Sequence, residues 1–214
     1  MSSKNGFKFS PPKCKAMHFH TLPGLHLSPA IMLNNHSIEY CNEVKFLGLI
    51  WDSKLTWRPH IIMVKEKCIR TLNILKSVTT QNWGGDQLMV MRIFRSITRS
   101  ILDYGAVVYG SASETNLKTL DNITNEALRI ASGAFKTTPV NSLYIICNEM
   151  PPDIRRNYLS LIYYYKIRSQ LSNPSFQQVV PVRYELLFRN KHVTPHFPIR
   201  MQTLIEQLNL RKIK

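Results

Sequence analysis

The sequence lacks any long run of apolar residues. No segment approaches the roughly 20 consecutive apolar residues that a membrane-spanning helix requires. The first residues contain no apolar stretch of the kind that directs secretion, and the four cysteines are widely spaced without a Cys-x-x-Cys pair. We therefore expect an intracellular protein with no membrane partner and with reduced, partly buried thiols. The sequence does not distinguish the nucleus from the cytoplasm.

Acidic residues are also scarce, since 13 Asp and Glu stand against 28 Lys and Arg, for a formal net charge of +15. The excess indicates a polyanionic partner, although charge alone does not separate nucleic acid from anionic lipid. The acids are scattered, whereas nucleases and polymerases cluster carboxylates to hold divalent metal ions. Asp103 could belong to such a site, but it lies four residues after Arg99, so an ion pair on a helix surface explains its presence equally well.

Two further kinds of site are not indicated. The eight glycines never take the spacing of a phosphate-binding loop. Cys14, His18 and His20 share one parity on a possible strand, but their spacing matches no common zinc site, so we interpret them as polar or half-buried strand residues. The chain alone therefore predicts no metal, no cofactor and no catalytic activity of its own.

The first fifty residues predict strands. Residues 13–20 alternate in the manner of an exposed strand, and residues 31–33 and 38–40 flank a turn at Asn34-Asn35-His36. Residues 44–51 form a third apolar run, which we interpret as a strand with a bulge or a close backbone approach at Gly48. A small antiparallel sheet over residues 7–52 is the expected result.

The remainder predicts helices, because apolar residues recur every three or four positions from residue 58 onward. The first helix carries the stripe Ile61, Val64, Cys68, Leu72, Leu75 and Val78. The second begins at Asp86 with Val90, Ile93, Phe94, Ile97, Ile101 and Tyr104 on one side, and the third runs from Ser113 to Gly133 and buries Leu120. We expect these three helices to form a bundle over about residues 57–134, so the fold class is α+β, mostly α.

Later segments are also predicted as helices. A short helix runs from Thr138-Pro139 to Cys147, a longer one from Pro151-Pro152 to about residue 171, and a last one over residues 199–210. Residues 173–197 are interrupted by proline and predict a connector. Tyr163, Tyr164 and Tyr165 could stack on bases, but their helix is apolar all round and favours core packing.

Basic residues line up on the three bundle helices. Arg92, Arg95 and Arg99 fall within a narrow arc opposite the apolar side of the second helix, so we expect them to be exposed. The other aligned sets are Arg58, Lys65 and Lys76 on the first helix, and Lys118 and Arg129 on the third. Contacts to phosphate groups and an ordinary solvated surface are both open, and the shortage of balancing acids favours phosphate contacts.

Several segments resemble one family. Residues 43–61 are similar to the "KFLG…D..LTW..HI" segment of reverse transcriptases, which are RNA-directed DNA polymerases, from jockey-like non-LTR retrotransposons. Residues 5–13 are similar to motif D of that family, and residues 99–112 and 128–143 to its thumb and post-thumb segments. Residues 149–156 continue the similarity. The resemblance covers about residues 5–170, in the family order.

The resemblance implies a right-hand polymerase of which this chain holds only one end. Residues 1–54 would be the end of the palm, with a motif D-like strand and a primer-grip-like hairpin, and residues 55–136 a thumb-like three-helix bundle. Residues 137–172 would be a helical connection, and residues 173–214 a basic connector with a terminal helix. The aspartates of motifs A and C, which bind Mg²⁺ in the full-length family enzyme, would precede this chain.

The resemblance also implies residue roles. Lys13 would be the motif D general acid, and Phe46, Leu47 and Gly48 would form the primer grip. The implied partners are an RNA template, an RNA–DNA or DNA duplex, and the remainder of the polymerase chain. We therefore expect a fragment that grips the primer and holds the duplex but does not polymerise alone. The alternative is a stand-alone, non-catalytic, basic nucleic-acid-binding or interaction module derived from such an element.

Overall fold

The computed structural model describes residues 6, 9–20, 29–79, 84–179 and 197–210. The described residues form mainly helices together with two small antiparallel sheets, so the predicted fold class, α+β and mostly α, is confirmed. The chain divides into an N-terminal unit, Met1–Met63, and a C-terminal unit, Val64–Lys214. No helix among the described residues is both long and apolar enough to cross a membrane.

Two hairpins make up the sheet content of the N-terminal unit. Strand β1 (Met32–Leu33) pairs with β2 (His36–Ser37), and β3 (Glu43–Phe46) pairs with β4 (Leu49–Asp52). Both two-residue turns have left-handed backbone at both central positions, with φ of 51° and 62° at Asn34 and Asn35 and of 46° and 80° at Leu47 and Gly48. Such turns match the twist of the strands they join, which explains the tight connections.

Two strand predictions are wrong in detail. Residues 44–51 are not one bulged strand, because Gly48 occupies the second turn position and reverses the chain. Residues 13–20 do not form a strand either. Pro11–Lys13 is a 3-10 turn, in which a proline costs nothing because the first N–H groups of a helix have no partner in any case. Within residues 14–20, Ala16 makes an isolated parallel bridge to Tyr40.

Helix α1 (Arg58–Val78) buries the side predicted from its period. Ile61, Val64, Cys68, Leu72 and Leu75 are each at most 3% exposed, and Val78 is half-buried. Burial raises the pKa of the Cys68 thiol to about 12, so this sulfur is protonated and inert at neutral pH.

The second helix departs from a regular α-helix. It comprises α2 (Gln87–Ile93), a π-helical turn (Phe94–Thr98) and α3 (Arg99–Asp103), and Asp86 caps it by accepting a hydrogen bond from Met89 N at 2.7 Å. Because π-helical hydrogen bonds span five residues instead of four, positions four apart stay on one face. The buried positions are therefore Val90, Met91, Phe94 and Thr98.

Two residues of the predicted apolar side, Ile97 and Ile101, were expected to be buried and are not, for that reason. Ile97 is 37% exposed and Ile101 is only half-buried, since both were placed by the rotation of a regular α-helix. Thr98 takes the inward position, and its hydroxyl lies 2.8 Å from that of Thr71 on α1. The pairing satisfies two buried hydroxyl groups across the helix interface.

The third bundle helix agrees with its sequence signals. After the short helix α4 (Ala106–Tyr109), helix α5 (Glu114–Ser132) begins at the Ser113 cap and ends at Gly133, whose φ of 65° favours glycine. Leu120, Ala127 and Leu128 are almost completely buried in it. Lys76 of α1 reaches Glu126 of α5, and α2 also contacts α5.

The remaining helices are α6 (Val140–Ile146), α7 (Pro152–Arg168), α8 (Phe176–Val179) and α9 (Phe197–Gln207). The predictions over residues 138–147, 151–171 and 199–210 are thus confirmed apart from their ends. The predicted connector contains α8, and its residues 180–196 lie outside the described part of the chain. Tyr164 is buried in a small core, as core packing predicts, together with Ile167, Val179, Met201 and Ile205.

The substitution Leu128→Ala should lower the free energy of unfolding by about 2–5 kcal/mol, because it leaves a cavity at a fully buried position. Leu171→Ala is the matched control, since Leu171 is 81% exposed and its loss should change stability by about 0.5 kcal/mol or less. Urea unfolding followed by circular dichroism measures both. Equal effects at the two positions would contradict the packing described for α5.

Candidate nucleic-acid interface

The hairpin β3–β4 exposes two large apolar side chains at its tip. Phe46 is 60% exposed and Leu47 is 74% exposed, whereas Leu49 and Asp52 are each only 8% exposed. Neighbouring apolar side chains exposed at a turn form a surface suited to contact with a partner. The hairpin that the resemblance implied at Phe46, Leu47 and Gly48 is therefore present, and its role as primer grip stays a prediction.

The base of this hairpin is tied to the start of α1. Asp52 Oδ2 accepts hydrogen bonds from Thr56 N at 2.8 Å and Thr56 Oγ1 at 2.9 Å, and Asp52 Oδ1 accepts one from Trp57 N at 2.9 Å. His60 is 1% exposed, and its Nδ1 accepts a hydrogen bond from Ile50 N at 3.3 Å. We call Asp52, Thr56 and His60 the hairpin clamp.

The connection inside the clamp is strained. Leu55 and Trp57 have φ of 52° and 61°, left-handed values that cost roughly 1 kcal/mol or more for residues with a side chain. The three hydrogen bonds to Asp52 offset this cost. The indole rings of Trp51 and Trp57 pack edge to face, with centroids 4.9 Å apart.

Lys13, the residue that the resemblance assigns as general acid, is exposed at the end of the 3-10 turn. The motif D-like segment around it falls partly outside the described residues, since residues 5, 7 and 8 are among those not described. The catalytic role of Lys13 stays a prediction.

Three of the predicted phosphate-binding residues are available for contact. Arg58 and Lys65 on α1 and Arg92 on α2 are exposed, and none of them forms an ion pair with another described residue.

Two more predicted residues are exposed but paired. Lys76 lies 2.8 Å from Glu126, and Lys118 lies 2.9 Å from Glu114. Hydrogen bonding between the latter two raises the pKa of Lys118 and lowers that of Glu114. Exposed ion pairs of this kind contribute little to stability, so both lysines can exchange partners at small cost.

Arg95 and Arg99 are not the exposed residues that the sequence predicts. Arg95 Nε lies 2.8 Å from Glu149 Oε2, and Arg99 Nη1 lies 2.7 Å from Glu149 Oε1. The Glu149 side chain is only 3% exposed, and both arginines are half-buried around it. Arg95 also donates to the carbonyl oxygens of Cys147 and Asn148, at 3.3 and 2.8 Å. The helix face opposite the apolar side therefore packs against another segment.

Arg129 does not share the surroundings of Lys118, although the two align on an ideal helix. It is half-buried, and it donates to the carbonyl oxygens of Asn125 and Thr138, both at 3.4 Å. Its guanidinium group links α5 to the loop that precedes α6. A structural role accounts for this arginine.

Two further arginines were not singled out from the sequence. Arg155 lies 2.8 Å from Asp103, and Arg156 lies 2.6 Å from Asp121. Asp103 thus pairs with Arg155, and not with Arg99 as the spacing of four had indicated. The hydrogen bond to Asp103 raises the pKa of Arg155. Arg155 is 52 residues from Asp103 and Arg156 is 35 residues from Asp121, so no local spacing indicated these pairs.

The pairs formed by Arg99, Arg155 and Arg156 line a cleft of about 30 Å³. That volume holds roughly two water molecules. We assign the cleft to the internal packing of the C-terminal unit.

Magnesium is the metal ion that the resemblance implies for the full-length enzyme. Among the residues that the structure describes, no group of three or more His, Cys, Asp or Glu side chains could hold a metal ion. These residues therefore do not by themselves form a magnesium site.

Comparison with known proteins supports the resemblance. The chain is 26% identical over 144 residues, 63% of its length, to the Retrovirus-related Pol polyprotein from type-1 retrotransposable element R1 of Bradysia coprophila. It is 30% identical over 112 residues, 50% of its length, to the RNA-directed DNA polymerase from mobile element jockey of Drosophila funebris, and equally to that of Drosophila melanogaster. No protein-family model and no solved structure matches the chain.

The similarity to reverse transcriptases of R1 and jockey-type non-LTR elements is thereby confirmed, at modest identity. The matched residues span 14% of the R1 protein and 12% of each jockey protein, so the chain corresponds to a small part of the relatives it matches.

The substitution Arg95→Ala should destabilise the protein by roughly 2 kcal/mol, because it removes charge-assisted hydrogen bonds to Glu149 and to two backbone carbonyls. Arg92→Ala is the matched control three residues earlier, and it should change stability by about 0.5 kcal/mol or less. Thermal unfolding of both variants measures the difference. A stable Arg95→Ala variant would mean that the contacts of Arg95 contribute nothing to stability.

Proposed function

We propose that this chain is the part of a retrotransposon RNA-directed DNA polymerase that grips the primer and holds the template–primer duplex, within a longer polymerase chain. The similarity to the R1 and jockey proteins supports the polymerase origin. The observation that carries the more specific role is the clamped hairpin with Phe46 and Leu47 exposed at its tip.

The chemistry of the tip fits contact with a nucleic-acid terminus. Phe46 offers an aromatic face on which a base can stack, and Leu47 adds an apolar surface for sugar atoms. Gly48, with φ of 80°, completes the turn without a side chain. In the proposed role, the tip positions the primer's 3′ end by shape and apolar contact, and it adds no charge.

The duplex itself would be bound through its sugar-phosphate backbone. Arg58, Lys65 and Arg92 are the first candidates because they are exposed and unpaired among the described residues, and Lys76 and Lys118 follow because their ion pairs are exposed. Such contacts give affinity that depends on salt and little on base sequence. Arg95, Arg99 and Arg129 are assigned to internal contacts instead.

Lys13 belongs to the same proposal as the general acid of the longer enzyme. Lys13 is exposed, so its side chain is accessible to a substrate. Polymerisation is assigned to the longer chain, because the matched residues span only 14% of the R1 protein and 12% of each jockey protein.

Binding of an RNA–DNA heteroduplex should weaken with salt, and Lys65→Ala and Arg92→Ala should each flatten the plot of log affinity against log salt by about 0.7–0.9. Asn73→Ala, at an exposed neutral position of α1, is the matched control and should leave the slope unchanged. A salt titration by fluorescence anisotropy measures the slopes. Slopes equal to that of the unsubstituted chain in both folded variants would remove these residues from the proposal.

The primer-grip role predicts where the tip lies on the duplex. With p-benzoylphenylalanine in place of Phe46, irradiation should cross-link the chain to the primer strand near its 3′ terminus and not to its 5′ half. The same probe at Met32, which is 60% exposed on the other hairpin, is the matched control and should give a much lower yield. Mapping the cross-linked nucleotide also separates the two functions. A stand-alone binding module would cross-link without preference for the terminus.

A further inference from the structure

We infer that His60 and Asp52 are positioning residues, which orient the β3–β4 hairpin on the first turn of α1 and thereby set the place of the Phe46–Leu47 tip. The inference deepens the proposed function and rests on it for the contact with the primer. The contacts that carry it all lie within the N-terminal unit.

His60 accepts a hydrogen bond from an N–H group of β4 that does not pair with β3. Phe46 pairs with Leu49 across the tight turn, so the next pair, Lys45 and Ile50, falls at a position where the N–H groups point away from the partner strand. The outward N–H of Ile50 donates to His60 Nδ1 at 3.3 Å, and the imidazole is 1% exposed. The histidine therefore joins the outer edge of β4 to α1.

Asp52 fixes the other end of the connection. Its carboxylate accepts hydrogen bonds from both the N–H and the hydroxyl of Thr56 and from the N–H of Trp57, and Thr56 Oγ1 in turn accepts one from Arg58 N at 3.4 Å. Strained left-handed residues such as Leu55 and Trp57 persist only where surrounding contacts enforce them. The carboxylate thus holds the hairpin and the helix start in one arrangement.

A positioning role follows from the marginal stability of a two-stranded hairpin. Such a hairpin is at best marginally stable on its own in water, so contacts outside the strands are needed to fix it. Among the described strands, β3 pairs only with β4. Phe46 at the tip is four residues from Ile50 and six residues from Asp52 along the chain. Loss of the clamp should therefore leave the helices folded and let the tip move.

The test compares His60→Leu with His60→Asn in the full chain. The Asn side chain places an oxygen acceptor where His60 has Nδ1, whereas Leu fills similar space with no acceptor. Two readouts need no nucleic acid. They are hydrogen exchange at the Ile50 amide and the ¹⁹F signal of 4-fluorophenylalanine at position 46. The third readout is the cross-link from position 46 to the primer terminus on an RNA–DNA heteroduplex.

In His60→Leu we expect Ile50 amide protection and cross-link yield each to fall about fivefold or more, as loss of one hydrogen bond of ordinary strength gives. His60→Asn should restore both to within about twofold. Heteroduplex affinity and helical circular dichroism should not change, which a merely structural role would not predict. Asp52→Asn, which cannot accept all three hydrogen bonds, is measured alongside and should move the ¹⁹F signal in the same direction as His60→Leu.

Unchanged Ile50 protection in folded His60→Leu would overturn the inference, as would an unchanged ¹⁹F signal in both His60→Leu and Asp52→Asn. A His60→Asn variant that behaves like His60→Leu would also overturn it, since the acceptor would then be irrelevant. If the unsubstituted chain does not cross-link to the primer terminus, the proposed function fails. The exchange and ¹⁹F measurements still decide whether the clamp orients the hairpin.

Discussion

The C-terminal unit depends on one buried carboxylate, that of Glu149. A buried carboxylate is stable only beside cations and hydrogen-bond donors, and Arg95 and Arg99 supply both from the same helix. Their positions in turn fix the π-helical turn and α3 against the segment between α6 and α7. The same contacts reduce the positive charge at the surface, because two of the three arginines on this helix are committed to an internal contact. A large positive net charge therefore overstates the cations available to a polyanion.

The N-terminal unit shows how one short segment combines a contact surface with its support. Residues 43–61, one of the segments that carry the family resemblance, contain the exposed tip residues Phe46 and Leu47 and also the hairpin clamp. A pattern of separated Asp, Thr and His residues in this segment becomes intelligible as a set of hydrogen bonds across a strained connection. The apolar tip offers a contact surface, and the polar base holds that surface in place.

Local periodicity was sufficient to predict much of the fold. The buried stripe of α1 and the cap and glycine end of α5 follow from interactions within a few residues. The hairpin at Leu47–Gly48 was mistaken for one strand, because leucine seldom adopts the left-handed backbone found there. The Glu149, Asp103 and Asp121 pairs join residues 35 to 54 positions apart, which no periodic pattern encodes. Of the proposed site, the resemblance located the hairpin, but neither it nor the spacing identified His60.

The π-helical turn at Phe94–Thr98 also bears on how this chain is compared with its relatives. A π-helical turn is equivalent to one residue inserted into an α-helix, and one residue corresponds to about 100° of rotation. Deleting a single residue there would restore regular helical hydrogen bonds but would turn Arg99 away from Glu149. A relative with a regular α-helix at this place would therefore need a single-residue gap in the alignment to keep the positions after residue 98 on the same side of the helix.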